Sequence, residues 1–519
     1  MLVCFLPVLQ NAFVAWDDDL NLTENPRYRG LLLAQLRWMF TTFLGGHYQP
    51  LSWVTLGLDY TLWGMNPTGY HLTNLVLHAA NAVLLYLCIR RLLGPVSGDA
   101  GIEGAAVAGA LFFAIHPLRV ESVAWASERR DVLAGFFYLL TVLAYLRAVA
   151  TGGPARRRWL ALSLGCFVLS LLSKAWGVTL PVVLLLLDAY PLGRLAEPGA
   201  RARVLLEKLP YAVLALGGAV LAFLAQEPVA AMRTLAEHGP LQRAAQAAYG
   251  LCFYLWKTVV PLGLSPIYLL ELELDPAASR YVLSGVAVAA ITVAAVLLRR
   301  RWPWLLVAWG AYVITVSPVL GFVQTGPQIA ADRYTYLACL PWAVLFAAGI
   351  QRLRPLTVAA AGVLAVLGVL TFRQTQIWRD SRTLWEYVLR VDPANYIAYT
   401  NRGYTRDWAG DHDGAMADYT AAIRIHPGYP LAYYDRGTSR HARGDVDGAI
   451  ADLSLAVQLN PRDPRYWNNR GWAREAKGDL AGAAADYAKA LEVAPSDFPG
   501  RAKIEENLAF ARARLGSRP

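Results

Sequence analysis

Three consecutive aspartates, Asp17, Asp18 and Asp19, follow Trp16 directly behind an apolar stretch at 1–15. Carboxylates abutting a membrane segment are costly and are usually retained for function; the plain alternative is a marker where a helix leaves the bilayer. A second cluster runs through His116, Arg119, Glu121, Glu128, Arg129, Arg130 and Asp131, between two apolar runs where a connecting loop would need only turn residues. Lys174 and the pair Asp332 and Arg333 place further charges at the ends of other apolar runs. Chemistry that needs this arrangement is transfer from a lipid-linked phosphate donor. Arg129, Arg130, Lys174 and Arg333 would stabilise the departing phosphate as charge grows on it, while Asp17 or Asp18 takes the proton of an acceptor hydroxyl. His116, Glu121 and Glu128 would orient these cations or a metal, with Arg119 and Asp332 in supporting places. Adjacent carboxylates resist ionising together, which raises one pKa towards a useful base, or else they jointly hold a divalent cation such as Mg or Mn; both alternatives stay open.

The elements that must position these groups are membrane helices. The chain has 519 residues, 56% of them hydrophobic and 17% charged, with a mean hydropathy of +0.34. That is too apolar for one soluble domain and reads as an all-α polytopic bundle. The net charge of +10 sits in short clusters between apolar runs, so orientation in a membrane accounts for it and no nucleic-acid partner is expected. The five cysteines show neither CxxC spacing nor histidine partners, and no thiolate metal site or disulfide framework is indicated. The 1–15 stretch lacks a basic leader and a small-residue cleavage site, so it is expected to remain as a short first span.

Further apolar stretches occupy about 72–89, 104–116, 132–150, 159–173, 176–190, 209–226, 243–263, 281–298, 302–322, 336–350 and 355–372. Basic clusters at 90–91, 156–158, 194–208, 299–301 and at Arg352 and Arg354 all belong on the cytoplasmic side by the positive-inside rule. They do so only if the amphipathic, proline-flanked 243–263 segment dips in and returns. About eleven spans follow, with the N-terminus cytoplasmic and everything beyond 373 outside. The segment 16–70 then lies on that outer face, its 31–62 part lying along the membrane through Trp38, Trp53 and Trp63. His71, Asn74, His78 and Asn81 share one face of the second span and are expected to hydrogen-bond to neighbouring helices; Asp59 and Asp188 are candidates for structural pairing.

Beyond the membrane domain, 1–378, a repeat appears. Pro393, Pro427, Pro461 and Pro495 are 34 residues apart, as are Gly403, Gly437 and Gly471. That period is the tetratricopeptide signature and predicts an α-solenoid over 379–515: a half repeat at 379–393, three repeats at 394–495 and a capping helix at 500–515. Asn401, Asp435 and Asn469 recur on the first helix of each repeat, where a ladder of polar side chains can bind the backbone of an extended protein acceptor. Arg402, Arg436 and Arg470 recur in step with Asp418, Asp452 and Asp486, predicting ion pairs across each hairpin.

Trp16 to Asp18, the 70–78 run, the 116–125 block, the 128–133 run and 331–337 together resemble the transmembrane and tetratricopeptide-repeat-containing family and its bacterial relatives. The likeness covers nearly the whole chain and is most specific at 116–133. It implies a GT-C type glycosyltransferase that uses a polyprenyl-phosphate sugar, mannose in the animal members, to glycosylate protein hydroxyls, with an acidic pair in the first outer loop as catalytic residues, here Asp17 and Asp18. The third aspartate and the short repeat array depart from the family pattern. Composition points to a bacterial inner membrane with the repeats periplasmic. Two other readings are a membrane-anchored scaffold without activity and a ligase or polymerase using a lipid-diphosphate glycan.

Overall fold

The computed structural model describes residues 1–97, 101–226, 234–235, 237–324, 326–353, 356–495, 498 and 500–516; Arg354, one of the basic-cluster residues, lies outside them. The chain forms two compact units, Met1–Asp380 and Ser381–Pro519. Helices supply almost all of the regular structure. The one strand pairing among the described residues joins Tyr268–Leu269 antiparallel to Gln328–Ala330.

In the first unit five helices are long and apolar enough to cross a membrane: Pro67–Gly94, Ala126–Val149, Ala200–Gln226, Ser279–Arg300 and Thr357–Trp378. Two bent pairs raise the number to seven, Ile102–Ala114 with Pro117–Ala124 at 56° and Asp332–Ala338 with Leu340–Arg352 at 58°. Pro117 and Pro341 stand at the start of the second member of each pair, where a missing N–H ends the preceding helix. Fewer helices therefore meet the length and composition required than the eleven spans expected; Ala175–Ala189 and Pro303–Val319 are apolar but shorter. The 1–15 stretch forms only the four-residue helix Leu2–Phe5 and a 3₁₀ turn over Leu6–Gln10, so the first expected span is not a long helix. The Pro240–Val259 helix is amphipathic, burying Arg243, Gln246, Ala247, Gly250, Leu251 and Tyr254 along one face. Val213, Leu216 and Phe223 on one long helix, and Leu283, Val286 and Leu297 on another, remain uncovered by protein. Apolar surface on that scale needs an acyl environment, and the chain is an integral membrane protein.

Polar side chains on Pro67–Ser97 pin the segment that carries most of the charge. Asn74 donates to the carbonyls of Val123 (3.3 Å) and Trp125 (3.2 Å), and Asn81 to Val132 O (2.8 Å) and the Tyr336 hydroxyl (2.8 Å). The His78 ring bridges the Tyr336 hydroxyl (2.8 Å) and Ala114 O (2.9 Å). All three are fully buried, so these bonds satisfy groups that would otherwise be stranded, as expected of helix-to-helix contacts. Asp188 is likewise structural, accepting from Tyr145 and pairing with Arg194 (2.8 Å) and Lys208 (2.7 Å). Close approach is helped at Gly109, where a Cβ would lie 2.7 Å from Ala343 O. Between 16 and 70, Leu33–Thr41 and Pro50–Trp63 pack through Met39, Trp53 and Leu56 over Tyr28 and Tyr70, and leave Leu32, Leu33, Leu62 and Trp63 exposed.

The second unit consists of Ser381–Val391, three helical hairpins and Arg501–Gly516. The second helix of each hairpin begins at an aspartate, Asp411, Asp445 or Asp479, whose side chain accepts from the backbone N–H three residues on at 2.9–3.0 Å. Gly403, Gly437 and Gly471 permit hairpin closure, since a Cβ would come within 2.7–2.9 Å of Tyr419, Leu453 and Tyr487. Arg402, Arg436 and Arg470 each hold the following aspartate, Asp418, Asp452 or Asp486, through two hydrogen bonds of 2.7–2.9 Å. Arg406, Arg440 and Arg474 add a third at 2.9–3.0 Å.

Asp452 thus neutralises two arginines at a buried position. Asp452→Ala is expected to destabilise the repeat unit by about 1.5–3 kcal/mol, read as a lower denaturant midpoint of the full chain. Asp447, paired with Lys477 but 80% exposed, is the control; an equal loss from Asp447→Ala would contradict the assignment.

Candidate functional site

Glu128 ends the 3₁₀ turn Ala126–Glu128 and caps the Arg129–Val149 helix, and its carboxylate is completely buried. Three cations from three segments converge on it. Arg130, in the first turn of that helix, donates to Oε1 at 2.5 Å. Lys174, the residue that ends Gly153–Ser173, reaches Oε2 at 3.1 Å and also Asp131 at 2.5 Å. Arg333, in the turn Asp332–Tyr334, brings Nε to 3.5 Å and pairs with Glu121, which also accepts the Arg333 backbone N–H at 2.7 Å. Aromatic rings wall the cluster: Arg333 lies over Trp125 (5.4 Å) and Tyr334 (5.0 Å), and Lys174 over Trp176 (4.6 Å). Among the described residues, the Nε of Arg130 and the indole N–H groups of Trp125 and Trp176 are buried without a protein acceptor. Three cations thus face Glu121, Glu128 and Asp131.

The two first-loop aspartates play different parts. Asp18 is buried and fully engaged, accepting from Val14 N (3.0 Å), Ser127 N (2.9 Å) and Ser127 Oγ (2.6 Å). Those bonds clamp 14–18 onto the turn that carries Glu128. Its neighbour Asp17 is only half-buried and, among the described residues, takes no side-chain hydrogen bond, yet it feels Arg130 and Arg333. Burial pushes its carboxyl up to about 7 against the pull of those two guanidinium groups, with Asp19 and Glu128 adding repulsion. Burial lifts Asp18 to about 6, opposed by its hydrogen bonds. Asp17 is therefore the carboxylate left available, with a pKa suited to accepting a proton near neutrality.

Sequence reasoning missed His47. It follows Gly45 and Gly46, which turn through φ of 65° and 78°, and is half-buried beside the cluster. Burial holds its pKa well below the ordinary value, with Arg130 and Lys174 pushing the same way, so the ring is neutral and offers one donor and one acceptor. No motif announces it; only the fold brings it in. Asp131 was visible in the charged block and is a partner of Lys174 and Ser122 (2.9 Å).

Other expected site residues lie elsewhere. Arg129 faces away from Arg130 and is fully buried, donating to Asp59 Oδ2 (2.5 Å), Tyr70 O (2.8 Å) and Asn74. It ties the outer helices to the second span and is not free for phosphate. His116 caps its turn, accepting from Leu118 N at 3.3 Å while Nε2 meets Thr258 O at 3.0 Å. Arg119 is buried under Phe113 and Tyr336 and donates to Thr335 and Cys339. Asp332 accepts from Tyr268 at 2.9 Å. These residues make contacts away from the cluster, whereas Glu121 and Glu128 pair with its cations. In the repeats, Asn401 donates back to Ile397 O (3.0 Å), and Asn469 donates to Tyr434 (3.1 Å) and Thr438 (3.2 Å) of the preceding repeat. Asp435 lies among Tyr419, Tyr429, Tyr434 and Tyr466. The amide donors of Asn401 and Asn469 are thus engaged within the repeats, while all three side chains of the expected ladder stay partly exposed.

Nor do the residues fit a divalent cation. Asp18 has its oxygens occupied by N–H and O–H donors, Asp17 faces arginines, and among the described residues no three histidine, cysteine or carboxylate side chains converge. Beside the cluster runs a groove of about 230 Å³, lined by Tyr48, Leu172, Ala175, Gly217, Gly218 and Ala222 among others. Tyr48 and Ala175 adjoin His47 and Lys174 in the chain, so an apolar channel meets the charged site at its edge.

Comparisons with known proteins carry the resemblance read from the sequence. Residues 367–430 and 434–498 match the tetratricopeptide repeat model. The chain is 33% identical over 209 residues to the protein O-mannosyl-transferase TMTC1 of Homo sapiens, covering 37% of this chain and 23% of that protein. It is 36% identical over 163 residues to TMTC2 of Mus musculus, covering 30% and 18%. The matched region thus spans about a fifth of these relatives' own length. Among solved structures, ArnT of Cupriavidus metallidurans in the apo state aligns over 86% of this chain and 78% of its own at 15% identity and a TM-score of 0.36.

Asp59→Ala would strand the Arg129 guanidinium in the interior and is expected to cost about 3–5 kcal/mol, seen as an early thermal transition in detergent. The double variant Asp59→Leu with Arg129→Met should recover most of that loss. A double variant as unstable as the single one would show that the pair is not the source.

Proposed function

We propose that this chain is a membrane glycosyltransferase that moves a sugar, mannose by analogy with its O-mannosyl-transferase relatives, from a polyprenyl-phosphate donor to a protein hydroxyl. The observation that carries the reading is the Asp17 carboxylate, without a side-chain hydrogen bond among the described residues, beside Arg130 and Arg333 in a site bordered by an apolar groove. In the reaction the acceptor oxygen attacks the anomeric carbon as the bond to the phosphate oxygen breaks. The hydroxyl proton passes to Asp17, and the phosphate leaves with the electron pair, its charge growing from one towards two. Arg130, Lys174 and Arg333 meet that growing charge, and so bind the transition state more tightly than the ground state. Glu121, Glu128 and Asp131 fix the cations beforehand, Asp18 fixes the loop, and the groove takes the polyprenyl tail.

The repeats are assigned to recruiting the protein acceptor, and the site to the non-cytoplasmic face opposite the basic clusters. A non-catalytic scaffold is the second reading, favoured by the same internal pairing of the cations.

Purified full-length protein would be assayed against a panel of polyprenyl-phosphate sugars. Asp17→Asn is expected to lower transfer by about 10²–10⁴-fold. Because the ionised form of Asp17 is the base, wild-type kcat/KM should fall as pH drops through about 7, and the residual activity of the variant should lack that limb. Wild type that transfers from no monophosphate donor, or an Asp17→Asn variant as active as wild type, would favour the scaffold.

A further inference from the structure

We propose that the first unit holds a structural anionic phospholipid, its acyl chain inside the bundle and its headgroup phosphate against Arg352. A cavity of about 470 Å³, well within the roughly 300–1,000 Å³ usual for ligand sites, lies between the membrane helices. Its walls include Leu85, Leu139, Val183, Ala311 and Val344, and the Tyr138 hydroxyl is spent on Thr315. Water would find few partners there, and an empty space would forfeit dispersion contact along every wall. An aliphatic chain is the occupant that suits it.

The position of charge selects which lipid. Arg352 is the one charged side chain of the lining; it is exposed and makes no ion pair among the described residues. Among the other lining residues, Leu92 directly follows Arg91 and Trp304 comes three residues after Arg301, so this mouth lies at the end of the bundle where the basic clusters gather. Cations at that level attract anionic headgroups, and Trp304 is of the type found at the headgroup layer. The donor assigned above has its phosphate at Lys174, at the other end of the helices: Tyr138, on the near side of the cavity, is already nine residues past Arg129, about 13 Å along the axis. The lipid proposed here is therefore a separate molecule in the leaflet at the basic end, and its binding does not depend on the enzymatic reading.

Full-length protein in mixed micelles would be offered phosphatidylglycerol and phosphatidylcholine of the same chains and examined by native mass spectrometry. Wild type should retain one phosphatidylglycerol per chain, preferred about tenfold over phosphatidylcholine. Gly349→Leu, at a lining position where an added Cβ meets no atom within 4 Å, should obstruct the space and lower retention of both. Arg352→Gln, at the exposed mouth, should keep a bound lipid and lose the preference. Equal retention of the two lipids by wild type, an unchanged preference in Arg352→Gln, or displacement of the bound lipid by a polyprenyl phosphate would overturn the proposal.

Discussion

Everything in the charged region depends on the Glu128 carboxylate being shared by Arg130, Lys174 and Arg333. Removing one such group from water costs several kcal/mol, and the attraction between opposite charges repays that cost only when geometry is held closely. The cluster therefore cannot assemble itself. Asn74 and Asn81 hold the backbone on either side of Glu128, the Arg129–Asp59 pair anchors the outer helices behind it, and Asp18 stitches the first loop to Ser127. Each tie spends a polar group that would otherwise be a buried liability, so the interactions that stabilise the fold are the ones that set the site.

The scaffold was legible where composition or period carries physical meaning. Apolar runs gave the membrane helices, and the 34-residue spacing gave the repeats, down to the arginine–aspartate pairs at Arg402, Arg436 and Arg470. The number of spans was less legible, because Pro341 bends a helix inside the 336–350 run and several apolar runs, such as Ala175–Ala189 and Pro303–Val319, form helices too short to cross. In the site, the charged block and the cations Lys174 and Arg333 stood out because charge beside apolar sequence is costly wherever it occurs. His47 did not, since an isolated histidine after two glycines has no periodic or compositional signature.

Assigning roles within the charged block was harder than finding the block. Arg129 and Arg130 are equivalent as residue types, but successive positions on a helix point about 100° apart. One of them consequently enters the Asp59 pair and the other the Glu128 cluster. The repeat ladder shows a related ambiguity: Asn401 donates within its own helix and Asn469 to the preceding repeat, and periodicity cannot tell such internal contacts from a binding role.

The same division separates Asp17 from Asp18. A carboxylate that accepts three donors has little left for a proton or a substrate, whereas one held beside it, half-buried and without a hydrogen-bond donor, keeps its lone pairs and acquires a raised pKa from burial. Asp18 spends its oxygens on Val14 and Ser127 and so fixes the backbone that carries Asp17, while burial acts on the neighbouring carboxyl beside Arg130 and Arg333. Adjacent acidic residues at this boundary are therefore not interchangeable: one is held by donors and the other is held by its neighbour's bonds.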